Sequence, residues 1–207
     1  KIVGICSASV NPTSPIFNAV TISSNTPTLA TETFSGKTRR VGQGHTFYSW
    51  QVKYPTVTDR DAGVVEGFLA QTFGSLLSFE IVIPEVSYSK SNNPPSTVPA
   101  TTASYTAGAK TVALDNCGAN KEVLFAGDFF KFASHSKVYQ AVATCTSNGS
   151  GIATLYFAGG LVSSVGNDTN LTITAVPFTA HLVNSVQKFD VGIGGLTNIS
   201  VDMRETW

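Results

Sequence analysis

The sequence predicts a mainly β fold with one docked helix, divided into two domains, on three observations. Short runs of apolar residues alternating with polar ones recur along most of its 207 residues, the period of a half-buried strand. Only the segment following Pro55 repeats its apolar residues at three- and four-residue spacing, the period of a helix. One proline-rich stretch, Ser89 to Ser104, carries no apolar periodicity and has the composition of an extended linker.

In the first half, Phe17, Ala19 and Thr21 alternate with Asn18, Val20 and Ile22, and a Thr-rich stretch from Thr28 to Val41 turns at Gly36. The clearest strand is His45 to Tyr54, with Tyr48, Trp50, Val52 and Tyr54 on one face and Phe47, Ser49, Gln51 and Lys53 on the other. The helix starts with Thr58 or Asp59 as N-cap, and Asp61 in the first turn complements its dipole. Val64, Val65, Phe68, Leu69 and Phe73 form its expected apolar stripe, and Gly74 its terminator. Gly63 and Gly67 each weaken it by about 1 kcal/mol relative to Ala, so docking on a sheet must hold it. A strand from Ser78 to Val86 follows, with Phe79, Ile81 and Ile83 on one side.

Beyond the linker, short strands are predicted at Thr111–Leu114, Asp128–Ala133, Lys137–Thr144, Gly151–Phe157, Leu171–Ala175 and Phe178–Val183. The turn Ser147 to Gly151 pairs the third with the fourth, and one helical turn is expected near Leu161 to Val165. This density of strands predicts a small Greek-key barrel of the oligonucleotide/oligosaccharide-binding (OB) type; a small sandwich fits nearly as well. A final strand, Ile199 to Met203, alternates as a strand should.

Charged residues make up 13% of the chain and hydrophobic ones 42%, against roughly 25% charged in ordinary soluble chains. Lys plus Arg and Asp plus Glu both number 13, so the net charge is zero. That removes any general attraction to nucleic-acid phosphates or anionic lipid, and also the repulsion that keeps copies apart. Cys6, Cys117 and Cys145 show no CxxC spacing and read as reduced, buried thiols rather than a disulfide framework or zinc site. No apolar run approaches the roughly 18 residues of a membrane span, and no secretory leader is apparent. A soluble product of a reducing cytoplasm is expected.

Chemistry-bearing constellations are not apparent. His45, His135 and His181 lie far apart, no Gly-x-Ser-x-Gly elbow occurs, and no carboxylate pair is singled out. Gly42-Gln-Gly44 and Gly192-Ile-Gly194-Gly195 do not join a strand to a helix, so they read as turn or bulge glycines rather than phosphate cradles. No catalytic residue, metal or cofactor is expected. His135 reads as a turn-holding residue.

The candidates that remain are contact surfaces. Lys37, Arg39 and Arg40 form the main basic cluster, with Lys131 and Lys137 a weaker pair. Arg suits bidentate pairing across an interface, while a solvated hairpin tip is the plainer reading. Trp50 shares a face with Tyr48 and Tyr54 that serves either a core or an interface, and Trp207 at the end of this sequence is a residue type that contact surfaces favour. Phe130, Tyr139, Tyr156 and Phe157 could offer a barrel face on which sugar rings stack, the basis of an alternative reading as a carbohydrate-binding module recognising host surface glycans. Single-stranded nucleic acid is a weaker third possibility, given the few basic residues of that region.

The stretch from Ala126 to Gln140, AGDFFKFASHSKVYQ, resembles the hairpin in the second domain of distal tail proteins of long-tailed bacteriophages. Lys37 to Pro55 is similar to that family's basic hairpin ending in an aromatic strand and Tyr-Pro. Pro177-Phe178 with His181-Leu182 is similar to the strand leaving its inserted domain, and Met203-Arg204-Glu205 to its chain end. The resemblance implies a ring-forming tail domain of residues 1–90 and 188–207, a linker at 91–104 and an inserted OB-like domain at 105–187. It further implies a structural protein of the phage tail tip or baseplate. Its homo-hexameric ring would join the tail tube protein to the tail-tip hub and to receptor-binding or side-fibre proteins, in a virion assembled in the host bacterial cytoplasm. With it, Lys37, Arg39, Arg40, Trp50 and Trp207 become candidate ring-interface residues. No enzymatic role follows from it.

Overall fold

A computed structural model describes residues 17–42, 45–192 and 195–207; Cys6, Gly44 and Gly194 lie outside the described residues. In chain order the first elements are β1 (Ala19–Asn25), β2 (Thr28–Glu32), β3 (Thr38–Gly42), β4 (Phe47–Lys53), β5 (Val57–Thr58), α1 (Asp59–Gln71) and β6 (Phe79–Ile81). Next come β7 (Ala100–Thr101), β8 (Thr111–Asp115), β9 (Glu122–Leu124), β10 (Phe129–Phe132), β11 (Val138–Gln140), β12 (Cys145–Thr146), β13 (Ala153–Tyr156) and β14 (Leu171–Thr172). The last are β15 (Phe178–Leu182), β16 (Phe189–Val191) and β17 (Leu196–Glu205). The fold is mainly β, with one helix among the described residues. Its contacts divide it into two units: residues 17–24, 48–82 and 178–207, and residues 25–47 and 83–177.

The first unit is built on a sheet in the order β1-β4-β17-β15-β6, with β5 and β16 also paired to β17. β17 is its spine. Ser200–Arg204 face β4, Met203–Glu205 face β15, and its first residues face β16 and β5. A period of two turns Thr197, Ile199, Val201, Met203 and Glu205 inward. The same period buries Tyr48, Trp50 and Val52 on β4, and Trp50 packs edge-on against Phe178 at 5.0 Å. Among the described residues the Trp50 indole N–H finds no hydrogen-bond partner.

Helix α1 begins at Thr58, whose backbone is extended and whose hydroxyl donates to Asp61 at 3.2 Å instead of capping a backbone N–H. Ala62, Val65, Phe68 and Leu69 are its buried face, and Phe68 meets Phe79 at 4.9 Å. Val64 and Phe73 are exposed, contrary to expectation. At 100° per residue the docked stripe centres near Val65, which leaves Val64 on another side of the helix. Phe73 lies past the last helical residue with a left-handed φ of 50°, which turns it off that face.

The second unit encloses one core of Val112, Leu114, Val123, Leu124, Phe130, Phe132, Tyr139, Leu155, Phe157, Leu161 and Leu171, with Cys117 and Cys145 among them. Both thiols are free and buried; burial pushes Cys117 up to about 11 and Cys145 up to about 12, with Asp115 adding to the first and Cys117 to the second. The expected barrel is not one continuous ladder. Three ladders, β11-β10-β14, β13-β8-β7 and β12-β9, wall the core. Isolated antiparallel bridges Ala100↔Asn170 and Ala141↔Phe157 join the first two at both ends, giving the cyclic order β7-β8-β13-β11-β10-β14. Six short segments wall the core, within the five or six short strands that the sequence predicts for this region.

Two further expectations are corrected and one is met in part. No helical turn forms at Leu161–Val165, because its backbone groups pair across the chain, Leu161 with Gly108 and Ala109 and Val165 with Tyr105. The Ser147–Gly151 reversal exists, held by Asn148 accepting from Ser150 and Ile152. The strands it was expected to join meet through the Ala141↔Phe157 bridge and the Val142 amide donating to the Tyr156 carbonyl, while the longer ladders of β12 and β13 are with β9 and β8. β15 pairs with β17 and β6 in the first unit, so the return crossing falls at Phe178.

The proline-rich stretch is a strap rather than a free linker. The buried Asp128 carboxylate accepts from the Ser89 hydroxyl at 2.6 Å and from the Lys90 and Phe125 amides at 3.0 and 2.9 Å. Further along, Ser91 donates to the Glu122 carbonyl at 2.5 Å, Asn93 bonds Asn120 and Lys121, and Thr97 donates to the Asn116 carbonyl. Prolines remove some backbone donors from this segment; its side chains, its carbonyls and the Lys90 and Asn92 amides make the attachments.

Candidate functional site

The feature that stands out is the β2–β3 hairpin. Its five cross-strand pairs run from Thr28↔Gly42 to Glu32↔Thr38, and all ten strand residues are exposed. The turn closes on Thr33, whose hydroxyl accepts the Lys37 amide at 3.2 Å and donates to the Lys37 carbonyl at 3.0 Å, while Gly36 takes φ 76°. Phe34 at the tip is fully exposed. At the root, His45 Nδ1 lies 3.2 Å from the Gly159 carbonyl and the Thr26 and Thr46 hydroxyls are 3.1 Å apart.

The register sorts this arm into two faces, because residues opposite one another share a face. Leu29, Val41, Thr31 and Arg39 lie on one, and Ala30, Arg40, Glu32 and Thr38 on the other. The first face is apolar and basic with no acid, and Leu29 and Val41 are 50% and 62% exposed. Lys37, Arg39 and Arg40 therefore belong to one exposed arm. Lys137, by contrast, is buried, its ammonium donating to the Val138 carbonyl at 2.8 Å.

Trp50 is not an interface residue: it is 2% exposed in the core of the first unit, where the alternation of β4 points it inward. Trp207 is 48% exposed. The expected stacking face for sugars does not exist as such. Phe130, Tyr139 and Phe157 are core residues, with Phe130 lying 5.7 Å from each of the other two rings. Tyr156 alone is on the surface, 50% exposed, since the alternation of β13 turns Ala153 and Leu155 inward and Tyr156 outward.

One cluster has the outline of a nucleophile and base that the sequence did not disclose. Ser163 Oγ lies 2.7 Å from His135 Nε2, and His135 Nδ1 lies 2.8 Å from the Tyr139 hydroxyl. That hydroxyl also accepts the Val162 amide at 3.2 Å, and His135 Nε2 lies 3.5 Å from the Ser164 carbonyl. The arrangement is a strut tying the 161–165 segment to β11.

Burial lowers the pKa of His135 below 6.5, with the Ser164 carbonyl acting in the opposite sense. Burial, then Arg204, lowers that of His181. In both cases the folded state favours the neutral ring, so the stabilisation is complete above the ordinary value and is lost as pH falls through the depressed one. The thermal midpoint is expected to fall between pH 7 and pH 5, and His135→Gln is expected to flatten part of that fall. A midpoint rising on acidification would contradict the assignment.

Among the described residues no group of three His, Cys, Asp or Glu side chains is placed to hold a metal ion, and no helix is long and apolar enough to cross a membrane. An open groove beside β17 brings together Lys53, Tyr54, Lys188, Asp190, Asn198 and Ser200. Against known proteins, no protein-family model matches the chain and no curated protein matches it.

Proposed function

We propose that this chain is a structural assembly subunit of the distal-tail-protein kind, which closes with copies of itself into a ring of six at the tip of a phage tail. Its ring joins the tube protein on one side to the hub and the receptor-binding or side-fibre proteins on the other. The observation that carries this reading is the β2–β3 arm. A two-stranded ribbon is marginal in water unless it packs against something, and this one exposes Leu29, Phe34 and Val41 together with Lys37, Arg39 and Arg40. Its open edges and apolar face suit burial on a neighbour. Ring closure needs two different complementary patches on one subunit, and the zero net charge of the chain sets no long-range barrier to it.

Immunogold labelling of virions with antibody against this chain tests the location. Gold at the distal end of the tail is expected. Unlabelled tails, or label on the head, would refute it. The glycan-binding alternative has lost three of its four ring faces to the core and is not carried forward.

A further inference from the structure

Helix α1 has an outer face that its own fold does not explain. Gly63, Gly67 and Ala70 are all exposed along it, and a Cβ added at either glycine would meet nothing within 4 Å. Among the described residues neither glycine serves a turn or a close packing contact, yet each weakens the helix. At 100° per residue these three positions form the centre line of the solvent side. Asp59 and Glu66, seven residues apart, border one flank, and Arg60 and Val64 the other. Past the helix end, Phe73 and Leu76 are exposed as well. The result is a flat lane with apolar residues at its side and end and an acidic border.

We propose that this lane receives the β2–β3 arm of a second copy, through the arm face that carries Leu29, Val41 and Arg39. Four observations fix that occupant. At 100° per residue the lane carries two acids, Asp59 and Glu66, against one base, Arg60, with Asp61 on the far side, and the arm from Thr28 to Gly42 holds three bases against one acid, Glu32. Glu32 lies on the arm's opposite face, so the apposed surfaces carry Arg39 against Asp59 and Glu66. A five-residue strand spans about 17 Å and a 13-residue helix about 20 Å, so the two match in length. Both surfaces expose aliphatic or aromatic side chains that gain by leaving water together. The contact joins different patches, arm on one copy and helix on the next, which is the head-to-tail geometry that generates rings.

This inference rests on the self-assembly proposed above, and the experiment separates the two. Wild-type protein, Gly67→Leu, Glu66→Arg, Arg39→Glu and the combined Glu66→Arg/Arg39→Glu variant are compared by light scattering after size exclusion, with thermal midpoints recorded for each. Gly67→Leu fills the lane and is expected to hold or raise the midpoint while lowering the assembled fraction at least tenfold. Each single charge reversal is expected to lower assembly, and the combined variant to restore it. Wild type that assembles while Gly67→Leu and Glu66→Arg assemble equally well would overturn the lane and leave self-assembly standing. A wild-type protein that stays monomeric would overturn both.

Discussion

Phe130→Ala is expected to destabilise the second unit by about 4 kcal/mol, lowering its thermal midpoint by on the order of 10–15 °C. Phe130 is fully buried, and its ring meets those of Phe132, Tyr139 and Phe157 at 5.5, 5.7 and 5.7 Å. Phe132 and Tyr139 belong to the paired strands β10 and β11, while Phe157 follows β13, which lies in another ladder and meets the first through the Ala141↔Phe157 bridge, so they cannot all close on the vacancy. Tyr156→Ala, at a half-exposed position on β13, is expected to change stability by only about 0.5 kcal/mol. The contrast is measurable by thermal and denaturant unfolding. An unchanged midpoint for Phe130→Ala would mean that this ring is a surface group after all.

Asp128→Ala is expected to cost about 3 kcal/mol, because a buried carboxylate accepting three donors leaves all three unpaired when it is removed. Those donors are the Ser89 hydroxyl and the amides of Lys90 and Phe125. Two of them belong to the strap, so its release is expected to speed proteolysis between residues 90 and 98 several-fold. Asp128→Asn keeps an accepting oxygen and is expected to fall between the two. Cleavage at the wild-type rate in Asp128→Ala would show that the other anchors, Ser91 to Glu122 and Thr97 to Asn116, hold the strap unaided.

Much of the first unit was legible because one face of its elements is buried and the other wet. The alternation of Tyr48, Trp50 and Val52, that of Ile199, Val201 and Met203, and the helix from Thr58 onward follow from that asymmetry alone. What failed in the second unit was sidedness. In Phe129-Phe130-Lys131-Phe132, three aromatics occupy four positions and all three are buried, so the pattern gave no face. For Tyr156 and Phe157 the period of two did require opposite sides, and parity with Leu155 and Ala153 points Phe157 inward. Placing both on one binding face ignored that parity.

The strap was read as a linker because its prolines and polar residues lack periodicity. Its attachments to Asp128, Glu122 and Asn116 lie 18 to 39 residues away and leave no local trace. The pairing of β15 with β17 and β6 is equally remote in sequence. Lys37, Arg39 and Arg40 were correctly grouped by proximity, but their placement on a wholly exposed ribbon depends on what does not pack against it, which no residue pattern encodes. The lane on α1 was read only as two weakening glycines; its meaning required knowing which side of the helix faces water.

The claim on which the rest depends is self-association into a closed ring, and native mass spectrometry of the purified protein at micromolar concentration tests it most directly. The expected result is a dominant species of six times the subunit mass that is lost when residues 28–42 are replaced by a short turn. A monomer at every concentration, or an assembly indifferent to the loss of that arm, would contradict the account.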